Sequence, residues 1–350
     1  MSTVNILIRY LLLCLFGTGT LCLVIPLMAG EARPQHDRGV GLYFDQDLLT
    51  AGFNQDRDYT TGVAAEFFWQ EDGLYLLDRP VKWLGHRFGL LAEDAYFERS
   101  FILGSVNFTP DDLSASRPQF DDRPYASLIY LGNKRVYTDD ISALALEMRI
   151  GVLGTSVARE IQQALHASWR DVTDDREPVD PKGWQHQISN GGEPTLGFRV
   201  AYAERLAGAK GRWDLTGTTS TSLGYQTNAS VGLSLRAGDI ASPVWSLPYD
   251  PINRGSFLPS LAGNEWYLWA AYRARVVAYD VLLQGQFRDS AVTFNSDQLR
   301  HVVHDAGVGV TLSIEPMQVT FAINGKTSEL NVLKADRSHL WGGMYVMLRY

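Results

Sequence analysis

Short segments in which apolar side chains take every second position recur through this chain, and few folds accommodate them. After Thr195, Leu196, Phe198, Val200 and Tyr202 share one face of a strand, while Gly197, Arg199, Ala201 and Ala203 share the other. In LALEMRIGV the first face carries Leu144, Leu146, Met148, Ile150 and Val152, and the second carries Ala145, Glu147, Arg149 and Gly151. NASVGLSLRAG sets Ala229, Val231, Leu233 and Leu235 against Ser230, Gly232, Ser234 and Arg236. EWYLWAAYRARVV sets Trp266, Leu268, Ala270 and Tyr272 against Tyr267, Trp269, Arg273 and Arg275. Successive strand residues point to opposite faces, so each segment offers one lipophilic face and one face of charged, small and polar groups. A soluble sandwich also alternates, but it seldom holds so many Arg and Glu inside or so many Trp and Tyr near strand ends.

A transmembrane barrel needs this pattern: an apolar exterior about 9–11 residues long per strand, aromatic girdles and a polar lumen. It must also close, because each unpaired backbone group in hydrocarbon costs several kcal/mol. Roughly twelve such segments can be counted, in keeping with the even strand numbers of bacterial barrels. The last, LWGGMYVMLRY, ends on the aromatic Tyr350. Beyond the N-terminal stretch no segment is apolar enough for a transmembrane helix, and no repeat or low-complexity linker marks a domain break. The expected fold is therefore all-β, a single transmembrane antiparallel β-barrel of about 12 strands over residues 33–350.

The first 32 residues combine Arg9, a long apolar run and small residues around Ala29 to Ala32, the pattern of a secretory signal peptide. The run is also long enough to span a bilayer as an uncleaved anchor. Cleavage near Ala32 removes both cysteines, Cys14 and Cys22, and leaves no disulfide or cysteine metal site. A net charge of −8 and the lack of any basic run argue against a nucleic-acid partner.

Three stretches are too polar for barrel wall. YFDQDLLTAGFNQDRDYTTG gathers Asp45, Asp47, Asp56 and Asp58 ahead of Tyr59, Thr60, Thr61 and Gly62. Carboxylates and hydroxyls near a strand end can ligate a hard cation such as calcium, or form an ordinary acidic loop. A strand starting at Tyr59 turns Thr60, Gly62 and Glu66 inward and Tyr59, Val63, Phe67 and Trp69 to the lipid. GVLGTSVAREIQQALHASWRD begins as a strand and continues as a helix that Thr155 or Ser156 can cap. Val157, Ile161 and Leu165 give that helix a packing stripe, and Gln162 and His166 stand one turn apart on another face. A histidine beside an amide can activate water, or can be a solvated surface group. KGWQHQISNGGEP, with Gln185, His186, Gln187 and Asn190, reads as a loop that descends into the barrel.

Taken in order, DQDLLT, DRDYTTG, DDRPYASLIYLG, GVLGTSVAREIQQALH and GWQHQISN resemble the lipid A 3-O-deacylases of the LpxR family. The resemblance is close from Gly41 to Asn190 and is only a strand pattern beyond. It implies a twelve-stranded outer-membrane barrel whose active site lies between the wall and a short helix from an extracellular loop. It implies calcium dependence and hydrolysis of the ester that holds the 3′-linked acyloxyacyl group of lipid A, the lipopolysaccharide anchor of the outer leaflet. Carried over by motif, His166 is the general base, Thr60 is the threonine of the Asp-Tyr-Thr motif, and Gln162 precedes the base by one helical turn. Asp47 lies near the cation, and Gln46 stands where the family has Asn. An imidazole of ordinary pKa, about 6.5, can accept a proton from water at neutral pH.

This chain departs from the family pattern at Gln46 and in a lengthened loop, DVTDDREPVD. Arg117 and Arg123 are candidates to meet an acidic core sugar, although Arg123 sits in a DRPYA motif and is alternatively structural. The expected state is a membrane-embedded monomer. Alternatives left open are a passive porin or structural barrel, a barrel phospholipase with a serine nucleophile, and an acyltransferase barrel.

Overall fold

The computed structural model describes residues 38–46, 57–70, 96–138, 141–170, 180–246 and 263–350, with 83 and 86–87. Side chains are described for all of these except 70, 96–97, 165–170 and 245. The expected leader over residues 1–32, both cysteines and Asp47 lie outside the described residues.

Twelve strands form a closed antiparallel barrel. They are β1 (Arg38–Gln46), β2 (Asp58–Gln70), β3 (Tyr96–Thr109), β4 (Ala126–Thr138), β5 (Ser142–Leu153) and β6 (Glu193–Ala209). The ring continues through β7 (Trp213–Gly224), β8 (Gln226–Asp239), β9 (Glu265–Asp280), β10 (Val302–Ile314), β11 (Met317–Lys326) and β12 (His339–Arg349). β12 pairs back onto β1, with Gly39 opposite Arg349 and Gln46 opposite Gly342. Closure leaves no free edge, which hydrocarbon would penalise. One long helix, α1 (Val157–Arg170), lies in the β5–β6 connection, and no helix among the described residues is long and apolar enough to cross a membrane.

The alternation read from sequence holds strand by strand. Leu196, Phe198, Val200, Leu233, Trp266, Leu268 and Tyr272 are exposed on the outside, while Tyr267, Trp269, Arg273 and Arg275 are buried inside. Register aligns the outward residues of successive strands into rows. Leu42 faces Ala65, which faces Leu103, then Leu131, Ile150 and Leu196. The five large members of that row are all exposed, Leu42 at 52% and Leu103 at 57%.

The lumen is filled. Glu66 accepts hydrogen bonds from Tyr43 Oη and Ser100 Oγ, both at 2.6 Å, and from Lys134 Nζ at 3.2 Å. Asp305 accepts from Arg275 Nε at 2.8 Å and Arg273 Nε at 3.1 Å, and Arg236 Nη2 donates to Asp214 at 2.7 Å. Removing one partner of such a pair costs about 3–5 kcal/mol, because a buried charge is left unpaired. Tyr59, Phe108, Tyr130, Tyr267 and Trp341, all fully buried, occupy much of the remaining space.

At the end of the barrel reached by β1 and β3, the connections 110–125, 154–192, 281–301 and 327–338 gather. The connection carrying α1 is pinned at its stem. Gly154 adopts φ +64° and any Cβ there would lie 2.1 Å from Ser189 O, so only glycine permits this approach. Gly154 N donates to Ser127 O at 3.0 Å, Gly191 N to Gly154 O at 3.1 Å, and Ile188 N to Tyr125 O at 2.9 Å.

Candidate active site

Four residues along the strands from the apolar row of Leu42 and Leu103, about 13 Å at a rise of about 3.3 Å per residue, the outer wall changes character. Gln46 on β1 faces Thr61 on β2, Thr61 faces Asn107 on β3, and Asn107 faces Ser127 on β4. Parity puts all four on the outside, as Asn107 shares its face with Leu103 and Ser127 with Leu131. Yet they are buried: Gln46 is 6% exposed, Thr61 and Asn107 3%, and Ser127 1%. Thr61 Oγ1 donates to Gln46 Oε1 at 2.9 Å. Ser127 Oγ donates to Gln187 Oε1 at 2.9 Å, and Ser105, one step below Asn107 on the same face, reaches Asn107 Oδ1 at 3.4 Å. Buried polar groups are tolerated only when bonded, so this patch is built, and it lies on the side of the wall that elsewhere meets lipid.

A β-bulge shapes its edge. The register of β2 against β3 shifts between Tyr59 and Thr61, which adds one residue and reverses the parity beyond it. Tyr59 therefore does not face lipid, as strict alternation predicts. It turns inward, 1% exposed, donates to Asp45 Oδ2 at 2.9 Å and packs edge-on to Trp341 at 5.2 Å. Thr60 does not turn inward either. Its Oγ1 meets Thr109 Oγ1 at 2.6 Å, and alternation from Phe108 puts Thr109 on the outer side. The bulge thus delivers both Thr60 and Thr61 to the wall patch.

The clustered aspartates separate. Asp45 points into the lumen, where it accepts from Tyr59 and from Tyr345 Oη at 3.2 Å. Asp58, in a left-handed conformation at φ +63°, pairs with Arg337. Among the described residues no group of three His, Cys, Asp or Glu converges. The oxygen donors at the patch are neutral: the Gln46 amide, the Asn107 amide and the threonine hydroxyls. Oxygen donors of this kind can contribute to holding a hard cation, and Asp47, the other residue expected at the cation, lies outside the described residues.

The connection bearing α1 lies across the rim above β4 and β5. Gln187 reaches the outer wall at Ser127, whereas Ile188, 1% exposed, packs with Leu128 and Leu153 inside. The segment straddles the rim instead of descending into the barrel. Gln162 is buried and accepts from Trp184 Nε1 at 2.8 Å. Trp184 stacks obliquely on Tyr125, with ring centroids 4.8 Å apart, and packs with Leu113 and Ala158. The buried stripe of α1 is therefore Ala158 and Gln162, not the expected Val157 and Ile161, which are more exposed. His166 follows Gln162 by four residues on the same helix, and the side chains of Leu165 and His166 lie outside the described residues. Beside the start of α1 opens a cleft of about 340 Å³, lined by Thr155, Ser156, Arg159, Trp184, Gln187 and Asn190. Gln187 joins the cleft to the wall patch.

A charged rim holds these connections. Arg123 Nη1 meets Glu329 Oε2 at 2.5 Å and its guanidinium lies 4.1 Å from the Phe108 ring centre. Arg123 is thus structural, and Arg117 is the exposed one of the two candidates. Burial alone would raise the Glu329 carboxyl, but Lys326, Arg123 and Arg275 hold it well below the usual carboxylate range.

Asn107 and Thr109 are members of this site that motif reading passes over, and Thr61, Ser127 and Gln187 fall within its stretches without being assigned a role. Their signal is a change of chemistry on one face: Leu42, Phe44, Gln46 on β1, Phe67, Ala65, Val63, Thr61 on β2 and Leu103, Ser105, Asn107 on β3.

The chain matches the family described as outer membrane protein LpxR over residues 12–350. Among solved structures it is similar to LpxR from Salmonella typhimurium, with a TM-score of 0.69 and 16% identity over 89% of this chain and 100% of that one. It also matches the β-domain of the Bordetella autotransporter BrkA, with a TM-score of 0.42 and 10% identity over 90% of this chain and 100% of that one. An outer-membrane channel from Pseudomonas putida F1 matches with a TM-score of 0.39 and 10% identity over 91% of this chain and 100% of that one. Comparison with curated protein sequences gives no match.

Proposed function

The chain belongs to the LpxR family of outer-membrane proteins, and from that premise we propose that it is a lipid A deacylase of the outer membrane. It hydrolyses the ester that holds the 3′-linked acyloxyacyl group, in a calcium-dependent reaction. The observation that carries this reading is the row Gln46, Thr61, Asn107 and Ser127, polar and buried on the outer side of the wall. A passive barrel has no use for hydrogen-bonding groups there. An enzyme whose substrate is itself a membrane lipid needs them at the level where acyl chains join the sugar. The filled lumen, with Tyr59, Lys134 and Trp341 fully buried, also weighs against a porin.

His166 takes a proton from water, whose oxygen attacks the ester carbonyl carbon. His166 then returns that proton to the sugar 3′ oxygen as its bond to the carbonyl carbon breaks, releasing a free acyloxyacyl acid and a 3′-hydroxyl. General base catalysis of this kind contributes about 10²–10⁴-fold. Gln162, fixed by Trp184, sets the helix one turn before the base, and Thr60 offers its hydroxyl to the substrate. Calcium held by Gln46 and Asp47, when bound, supplies positive charge opposite the developing oxyanion.

Incubation of the purified barrel with hexa-acylated lipid A tests this reading, with acid release followed in calcium, in excess chelator and after calcium is restored. Release that stops with chelator and returns with calcium better than with magnesium is expected. Release in excess chelator would remove the cation from the mechanism. No release by folded protein in calcium would reject the deacylase.

A further inference from the structure

We propose that Arg337 is a positioning residue that fixes the Thr60–Thr109 pair of the active site from the far side of the rim. This rests on the deacylase reading for its catalytic meaning and on geometry alone for its structural content. Arg337 lies in the connection 327–338, two residues before β12, and is separated from β2 in the ring by β1. Its guanidinium makes a bidentate contact with Asp58, Nε to Oδ2 at 2.8 Å and Nη2 to Oδ1 at 3.0 Å, and Nη1 donates to Asp122 Oδ1 at 2.7 Å.

Each of these carboxylates governs one member of the pair. Asp58 stands two residues before Thr60, at φ +63°, a left-handed conformation that Asp tolerates better than most side-chain-bearing residues and that the Arg337 contacts help to fix here. It opens the bulge that turns Tyr59 inward and Thr60 outward. Asp122 accepts from Asp111 N at 2.9 Å, two residues beyond Thr109, and so sets where β3 leaves the wall. One planar fork therefore pins the chain on both sides of the contact between Thr60 Oγ1 and Thr109 Oγ1. A lysine can keep the charge but cannot bridge both carboxylates with the same geometry. Misplacement of a catalytic group by about 1 Å can cost about 100-fold in rate, so a clamp outside the site can control turnover.

The test compares the full-length barrel in outer membranes with Arg337→Gln, Arg337→Lys, Thr60→Ala and Arg337→Gln/Thr60→Ala. Folding is checked by heat-modifiable mobility. Amide exchange at 58–62 and 107–111 is expected to rise about tenfold in Arg337→Gln, with a smaller rise in Arg337→Lys, which serves should glutamine prevent folding. With hexa-acylated lipid A and calcium, kcat is expected to fall about 10–100-fold while KM stays within twofold. In the Thr60→Ala background the Arg337 change should add less than about twofold, because the clamp acts through Thr60. Unchanged exchange at 58–62 overturns the inference whatever the activity, and so does a rate loss equal in both backgrounds. A parent barrel that releases no acid would defeat the deacylase reading, and exchange would still decide the clamp.

Discussion

Ser127, on the outer side of β4, donates a hydrogen bond to Gln187 Oε1 at 2.9 Å, and with it the loop that carries α1 is fastened to the outside of the barrel. The adjoining Ile188 is sealed into the lumen. The chain thus grips the rim from both sides, and the helix starts from a fixed point on the wall. Ser127→Ala leaves a buried amide oxygen short of a partner, at a cost of about 1–3 kcal/mol. The barrel should still form, acid release should fall about tenfold, and limited proteolysis should reach the loop 154–192 sooner. Unchanged turnover would separate loop placement from the reaction.

Gly154→Ala tests the stem of the same loop. The added Cβ meets Ser189 O and the backbone must leave φ +64°, so the loop stem shifts or strains by about 1–3 kcal/mol. Thermal unfolding should begin at lower temperature and turnover should drop more than the unfolded fraction accounts for.

Thr61→Val is nearly isosteric and removes only the hydroxyl bonded to Gln46. Because the buried Gln46 Oε1 loses its donor, barrel stability should fall by about 1–3 kcal/mol while the barrel still forms. With Gln46 at the cation, the calcium concentration for half-maximal rate should rise severalfold. An unaltered calcium dependence would place the cation away from Gln46.

Glu329 predicts how the rim responds to acid. Its carboxyl is held well below the usual range by Lys326, Arg123 and Arg275. A depressed folded-state pKa contributes stability that is whole above the ordinary glutamate value and is lost progressively as pH falls from there to the lowered one. Amide exchange in 327–338 should therefore begin to quicken as pH drops through the range where exposed glutamates protonate, and go on quickening into stronger acid. In Glu329→Gln that acid dependence should vanish.

The wall is legible from sequence because parity alone assigns each strand residue to a face, and Arg273 and Arg275 fall inside by the same count that puts Tyr272 outside. Parity fails at Tyr59, where one extra residue reverses every face beyond it, and nothing in DRDYTTG marks the bulge. On α1 the helical period allows two stripes, and side-chain size favours Val157 and Ile161. Trp184, from the returning segment, selects Ala158 and Gln162 instead. Asp58 cannot be told from a cation ligand without Arg337, which comes from 279 residues away in the chain. The polar ends of β1 to β4 are visible one by one, but register is needed to bring Gln46, Thr61, Asn107 and Ser127 into one row.

The most direct measurement is mass spectrometry of lipid A from Gram-negative cells expressing the chain or its His166→Ala variant, with both barrels confirmed as folded in the outer membrane and calcium present. The expected result is lipid A lighter by the 3′-linked acyloxyacyl group in cells with the parent chain and an intact acyl pattern in cells with the variant. An intact pattern in both, or the same loss in both, would contradict hydrolysis driven by His166.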